Sequence, residues 1–222
     1  ELAEHKRTQA AFRLDEQRLE VLLELSQMTR TSLHELTDFC LKEAVRLTGS
    51  EVGYIAFVNE EETVLTMHAW SESAMKGCGI ADQPIEYPLE KTGLWGEAVR
   101  QRRPIITNDY AAPNPLRKGF PEGHVPITRH LNIPVFDDDH IVAVLGVGNK
   151  GAEYDESDVR QLTLLMDGMW RIVRRRKAEE ILDLSETKYR LMTENMKDVI
   201  WQATPDMVFT YVSPSCEKML GY

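Results

Sequence analysis

Apolar residues at helical spacing characterise the first segment, Leu2–Met28, which contains no Gly or Pro. Residues three, four and seven positions apart share one face of a helix, so this spacing predicts a long helix with a near-heptad seam. The seam favours pairing with a second chain; the alternative is a single helix that packs on its own domain. The seam positions are Ala11, Leu14, Val21, Leu25 and Met28.

A second amphipathic pattern predicts a helix that starts at about Ser32, a suitable N-cap, reaches Leu47 and ends at Gly49. Apolar and β-branched residues then predict two strands, over Val52–Asn59 and Thr63–Trp70, joined by an acidic turn.

The middle of the chain contains a glycine-bracketed turn. Gly93 and Gly96 enclose a Leu-Trp pair, and glycine serves where φ is positive or where the backbone passes close to another group. A short helix follows and ends at Pro104, which cannot donate to the helical ladder. Ile105 and Ile106 then predict a short buried strand.

Further strands and a long helix are predicted downstream. His140–Lys150 has the composition of a strong strand, and Ser157–Met192 contains no helix breaker, so one continuous helix is expected there. Beyond it, Val199–Ala203 and Val208–Val212 predict a pair of short strands. Two irregular stretches rich in Gly and Pro, Ser71–Lys91 and residues 111–129, predict long loops, which are more often functional than not.

Composition narrows the function classes. The chain has 222 residues and a net charge of −10, which argues against a surface for nucleic acid. No apolar run approaches the roughly 20 residues of a membrane helix. Cys40, Cys78 and Cys216 form no CxxC pair, so a reducing cytoplasm is expected.

The order of elements around the glycine turn resembles that of GAF domains, the ligand-binding modules of signalling proteins. The matching positions are Gly93, Leu94, Gly96, Pro104, Asp109, Pro134, Gly146, Asn149 and Lys150. The resemblance implies an α+β fold with an antiparallel sheet, flanked here by long signalling helices. It also implies that the two long loops close a ligand pocket over one face of the sheet.

The last segment resembles the opening of a PAS domain, in which a strand pair leads to a small helix ending in Gly-Tyr, here Gly221 and Tyr222. The resemblance covers only the beginning of such a domain. The predicted organisation is a signalling helix (1–30), a GAF domain (31–170), a connecting helix (171–192) and an incomplete PAS segment (193–222).

Haem is the first candidate ligand. Cys78 lies between two glycines in one long loop and His124 lies in the other, and some GAF domains of sensor kinases resemble this arrangement and hold haem. His124 is the preferred metal ligand over His130, whose successors have a strand pattern. Trp95, inside the glycine turn, completes the set of candidate cofactor contacts. The alternative is an unknown small ligand.

Other chemistry is less compatible with the residues present. Lys150 and Asp158 fit the cyclic-nucleotide GAF pattern, but Val159 replaces its final Glu, so the Lys–Asp pair is predicted to tie strand to helix. The separated cysteines argue against a sulfoxide reductase of the GAF type. No catalytic constellation or zinc-ligand set is recognised.

The resulting prediction is a cytoplasmic, non-enzymatic input module of a sensor histidine kinase in a two-component system. It would act as a homodimer through its helices and pass a ligand or redox signal to downstream kinase domains of the same chain. The alternatives are a ligand-free dimerisation module and the sensor part of a transcription regulator.

Overall fold

The computed structural model describes residues 2–71, 73, 86–118, 125–195 and 198–220. The helices are α1 (Leu2–Gln27), α2 (Leu33–Thr48), α3 (Glu97–Gln101), α4 (Glu156–Asn195) and α5 (Ser215–Leu220). Two 3₁₀ turns, Leu89–Lys91 and Leu94–Gly96, precede α3. The strands are β1 (Val52–Val58), β2 (Val64–Trp70), β3 (Glu86–Pro88), β4 (Ile105–Thr107), β5 (His130–Asp137), β6 (His140–Gly148), β7 (Trp201–Ala203) and β8 (Phe209–Val212).

The predicted limits of α2 are confirmed by its caps. The Ser32 hydroxyl accepts a hydrogen bond from the Glu35 backbone N–H, and the Glu35 side chain accepts one from the Ser32 backbone N–H, which completes a capping box. Gly49 ends the helix in the left-handed conformation, at φ 64°.

The described strands of the first unit form one antiparallel sheet in the order β3-β2-β1-β6-β5-β4. With the helices packed on this sheet, the unit has an α+β fold. Side chains alternate between its two faces. A Cβ placed on Gly53 would meet Leu41 and Val45 of α2, so Gly53 marks the helix-covered face. A Cβ placed on Gly146 would meet the Tyr54 ring, so Gly146 marks the opposite face.

The hydrophobic core lies on the helix-covered face, between the sheet and helices α2 and α4. Its members are buried large apolar side chains contributed by the strands and by both helices. The largest of them are Leu36, Ile55, Leu131, Ile133, Leu145, Leu162, Leu165, Met166 and Met169. A second hydrophobic cluster lies on the other face of the central strands, formed by Ala56, Leu65, Val99, Ile141 and Val144.

Two residues of the seam predicted on α1 are buried inside the same chain. Val21 and Leu25 are 4% and 2% exposed, and Leu25 packs next to Gly168 of α4. The two residues are therefore covered intramolecularly and cannot serve as a pairing surface for a second chain. Periodicity identified the buried side of α1 correctly but not the helix that buries it.

The glycines of the turn are required because neighbouring atoms approach their backbone closely, and not because the turn has a positive φ. Gly93 and Gly96 have φ of −83° and −92°, so neither adopts the left-handed conformation. A Cβ on Gly96 would lie 1.9 Å from the Thr92 hydroxyl oxygen. The strand predicted at Ile105 and Ile106 forms, but both residues are only half-buried because β4 is an edge strand.

The chain divides into two units, Glu1–Ile172 and Val173–Tyr222, and α4 runs through the boundary. The helix predicted over Ser157–Met192 is confirmed. In the second unit, β7 and β8 form an antiparallel pair before α5. Across the described residues, no helix is long and apolar enough to cross a membrane.

Candidate functional site: an aromatic face of the sheet

Six aromatic and polar residues cluster on the sheet face opposite the helices. We call this cluster the aromatic face; it consists of Tyr54, Tyr87, Trp95, Tyr110, His130 and Asn132. Strand register brings Tyr54 and Asn132 together, because both pair across the sheet with Gly146. His130 lies two residues before Asn132 and so points to the same face.

Tyr54 is the centre of the cluster. Its ring stacks on that of His130 at 6.3 Å between centroids, and meets the Trp95 ring edge-to-face at 6.1 Å. Its hydroxyl donates a hydrogen bond of 3.2 Å to Asn132 Oδ1. Burial raises the pKa of the Tyr54 hydroxyl, so it remains a neutral donor at physiological pH.

The glycine at position 146 makes room for the Tyr54 ring. A Cβ at Gly146 would lie 2.2 Å from Tyr54 Cε1 and 2.4 Å from its Cζ. The ring therefore lies directly over the backbone of β6, where only glycine leaves the space.

Trp95 is fixed by the turn predicted from the sequence. Its backbone carbonyl accepts a hydrogen bond from Asn132 Nδ2, which ties the turn to β5. Its ring also meets Tyr87 of β3 at 5.3 Å and 88°. The turn thus holds a large aromatic side chain between two strands that lie far apart in the sequence.

Arg100 of α3 fixes the same turn through hydrogen bonds. Its guanidinium donates to the carbonyl oxygens of Leu89 and Gly93 at 2.9 and 2.6 Å, and to the Thr92 hydroxyl at 2.9 Å. It also pairs with Glu97, which is 5% exposed. Burial pushes the pKa of Glu97 upward, but hydrogen bonds from a neighbouring glutamine and from Arg100 hold that pKa below its ordinary value.

His130 is an enclosed member of the cluster. It is 6% exposed, with the Tyr54 ring on one side and the Tyr110 ring edge-on at 6.0 Å. His130 is the first residue of β5, as the strand pattern after it predicted. That pattern was the reason for preferring His124 over His130 as the metal ligand. The surroundings suit a wall residue better than an axial ligand that must present a nitrogen to open space.

The predicted site residues therefore separate into two groups. Trp95 and His130 share Tyr54 as a common neighbour. Cys78 and His124 lie outside the described residues. Within the described part of the chain, no group of three His, Cys, Asp or Glu side chains could hold a metal ion.

Sequence reasoning missed Tyr54, Tyr87, Tyr110 and Asn132 as site residues. Asn132 carried a usable signal, because a polar side chain in the middle of an apolar strand is unusual and here is fully buried. The tyrosines carried none, since aromatic residues are common in strands and their convergence depends on sheet register.

The predicted tie between Lys150 and Asp158 is present. Lys150 Nζ lies 2.6 Å from Asp158 Oδ2, and Asp158 also accepts a hydrogen bond from the Asp155 backbone N–H at the start of α4. The pair joins the segment just after β6 to the first turn of α4.

The family model described as "GAF domain" matches residues 30–174, about two thirds of the 222 residues. The chain belongs to the GAF domain family. In this GAF domain, the aromatic face lies on the side of the sheet opposite α2 and α4, where the glycine turn and α3 pack.

Comparisons with individual proteins agree with this assignment. The chain is 57% identical over 201 residues to a "Methyl sulfide methyltransferase-associated sensor" from Methanosarcina acetivorans, a match that covers 88% of this chain and 20% of that protein. This chain thus spans about a fifth of the length of that relative.

Solved structures support the fold. The GAF domain of a phosphoenolpyruvate-protein phosphotransferase from Coxiella burnetii is similar with a TM-score of 0.59 at 15% identity, covering 74% of this chain and 96% of that one. A free methionine-R-sulfoxide reductase from Neisseria meningitidis reaches a TM-score of 0.55 at 14% identity, covering 72% and 91%. Identities this low establish a shared fold and nothing about shared chemistry.

Proposed function

We propose that this GAF domain is a non-enzymatic sensory input module that binds a small ligand against its aromatic face. The observation that carries the proposal is the convergence of Tyr54, Trp95, His130 and Asn132 on the sheet face opposite α2 and α4. Large aromatic walls with a few placed polar groups are typical of small-molecule sites. The relative from Methanosarcina acetivorans is itself named as a sensor.

Haem is the first ligand to test. Tyr54 and Trp95, whose rings meet edge-to-face at 6.1 Å, would contribute aromatic contacts to a haem pocket. Haem would supply iron for redox or gas sensing, and the protein residues would exclude water and orient the macrocycle. On the sequence evidence, His124 is the proposed axial ligand, and Cys78 is the proposed partner for a covalent link.

The proposed output is a histidine kinase of a two-component system in the cytoplasm. The match covers only 20% of the relative from Methanosarcina acetivorans, which leaves room for output domains in that protein. We assign β7, β8 and α5 to the start of a PAS domain on their order and on the sequence resemblance. A lone two-stranded hairpin is marginal in water, so more strands are expected to complete it.

The experiment is an absorption spectrum of the chain reconstituted with haem, compared with His124→Ala, Cys78→Ala and the control His5→Ala, an exposed position on α1. We expect a Soret band that shifts or weakens in His124→Ala only, and haem retained on denaturing gels unless Cys78 is replaced. Native mass spectrometry of the protein as purified completes the test. A bound small molecule other than haem would replace haem as the ligand, and no bound ligand by either method would contradict the sensory proposal in favour of a ligand-free dimerisation module.

A further inference from the structure

Asn108 holds the backbone just before α4. Its Nδ2 donates a hydrogen bond of 3.0 Å to the Tyr154 carbonyl oxygen, and its Oδ1 accepts one of 2.8 Å from the Tyr154 backbone N–H. Both backbone groups of one residue are thus paired with a single side chain that lies 46 residues earlier in the sequence. A side-chain amide can do this because it carries a donor and an acceptor side by side.

Tyr154 stands immediately before the cap of α4. The next residue, Asp155, accepts hydrogen bonds from the backbone N–H groups two and three residues ahead, at 2.8 and 3.2 Å, so it is the N-cap of the helix. Tyr154 is 2% exposed, and its hydroxyl oxygen lies 2.7 Å from that of Ser50. Ser50 therefore holds the side chain of Tyr154, whereas Asn108 holds the backbone that leads directly into α4.

Asn108 also lies two residues before a member of the aromatic face. That member, Tyr110, is 5% exposed, and its ring meets the His130 ring edge-on at 6.0 Å. The Tyr110 backbone N–H donates a hydrogen bond of 2.9 Å to the Thr128 carbonyl oxygen. Two residues of chain span at most about 7 Å, so the link between the aromatic face and Asn108 is short.

Hydrogen bonds fix this link at each of its three residues. Between Asn108 and Tyr110, the Asp109 carboxylate accepts hydrogen bonds from the backbone N–H groups of Ala111 and Ala112, both at 3.1 Å. Such a turn restricts the backbone of the residues it encloses. A short segment with every residue bonded has little freedom to absorb a displacement, so a movement at Tyr110 is passed on to Asn108.

We propose that Asn108 is a positioning residue that couples the aromatic face to the start of α4. The inference rests on the proposed function, because its signal is a ligand that contacts the aromatic face. A ligand that shifts the Tyr110 ring displaces Asn108, and with it the Tyr154 backbone and the Asp155 cap. The ligand acts by binding one placement of α4 better than another.

A second tie between the sheet and α4 provides a rival route. Lys150 pairs with Asp158 at 2.6 Å, inside the first turn of the helix. Lys150 follows β6, whereas Asn108 follows β4, the strand that leads to Tyr110. The two routes make different predictions, because coupling through Lys150 and Asp158 would survive the loss of both hydrogen bonds of Asn108.

Amide hydrogen exchange of the ligand-free chain tests the coupling. Tyr110→Ala should raise the exchange rates of residues 154–159 on the order of 10-fold, since each neutral hydrogen bond changes a local opening equilibrium about 2- to 10-fold and Asn108 makes two. In the background Asn108→Leu, which removes both hydrogen bonds at similar side-chain volume, Tyr110→Ala should change these rates less than about 2-fold. Asn108→Asp, which keeps only the acceptor, should retain part of the effect.

The matched control is Tyr87→Ala. Tyr87 also belongs to the aromatic face but lies in β3, at the opposite edge of the sheet from β4, so its replacement should leave exchange at residues 154–159 unchanged. Circular dichroism checks that each variant retains its helices, and Tyr110→Leu repeats the cycle with a milder truncation.

A purely structural role for Asn108 predicts a different pattern. Tyr110→Ala would then raise exchange equally in both backgrounds, and Asn108→Leu would accelerate exchange in α2 as much as at residues 154–159; either result would overturn the coupling. Equal effects of Tyr110→Ala and Tyr87→Ala would do the same. Haem added to the wild type separates this inference from the proposed function. Bound haem that leaves exchange at residues 154–159 unchanged would overturn the coupling, whereas failure of haem to bind would count against haem alone, because the ligand-free cycle decides the coupling without it.

Discussion

Replacing Gly146 by Ala should destabilise the domain through a single clash. The new Cβ would lie 2.2 Å from Tyr54 Cε1, whereas carbon atoms pack at about 3.5 Å or more, so the ring must move by roughly 1.3 Å. Overpacking of this size costs about 1–3 kcal/mol. The displaced ring also loses its 3.2 Å hydrogen bond to Asn132, worth about 0.5–1.5 kcal/mol.

The expected loss is therefore about 1.5–4.5 kcal/mol in the free energy of unfolding, measured by urea denaturation of the whole chain. The matched control is Gly151→Ala, because a Cβ at Gly151 meets nothing within 4 Å, and its effect should stay within about 0.5 kcal/mol. In the background Tyr54→Ala, the Gly146→Ala change should cost far less than it does alone. A loss below about 0.5 kcal/mol for Gly146→Ala in the wild type, or the same loss in both backgrounds, would refute the clash.

Two further perturbations test other parts of the domain. Arg100→Ala should lower the free energy of unfolding by about 2–4 kcal/mol, since it leaves the buried Glu97 carboxylate without its cation. The control Arg103→Ala, at an exposed position, should change the free energy of unfolding little. Equal effects of the two substitutions in thermal denaturation would contradict the role given to Arg100. The pKa of His68 is lowered from 6.5, first by burial and then by nearby His34. The unfolded chain therefore takes up a proton at His68 more readily than the folded chain, so the stability contributed by neutral His68 is complete above about pH 6.5 and is lost as pH falls below it. His68→Gln should flatten that part of a profile of unfolding free energy against pH. An unchanged profile would contradict the lowered pKa of His68.

Local signals predicted the elements of this fold well. The Ser32 cap, the Gly49 stop and the strands beside them depend on neighbours a few residues away, so their chemistry is visible in the sequence. The helix-covered core follows from the same periodicities.

Long-range register explains what could not be predicted. Trp95 and His130 were identified as site residues, but Tyr54 joins them only because β1, β6 and β5 pair in one particular register. A shift by one residue would turn Tyr54 to the other face. Likewise, the periodicity of α1 shows that Val21 and Leu25 need cover, and it contains no information on whether α4 or a second chain supplies it.

The most direct measurement of the central claim is a haem titration that follows the Soret band in the wild type, Trp95→Ala and Trp201→Ala. Trp95 belongs to the aromatic face, whereas Trp201 lies in β7 and is 58% exposed, which makes it the matched control. We expect one haem per chain, affinity weakened about 10- to 100-fold in Trp95→Ala through loss of stacking area, and no change in Trp201→Ala. Equal affinity in Trp95→Ala and the wild type would contradict a ligand seated against the aromatic face.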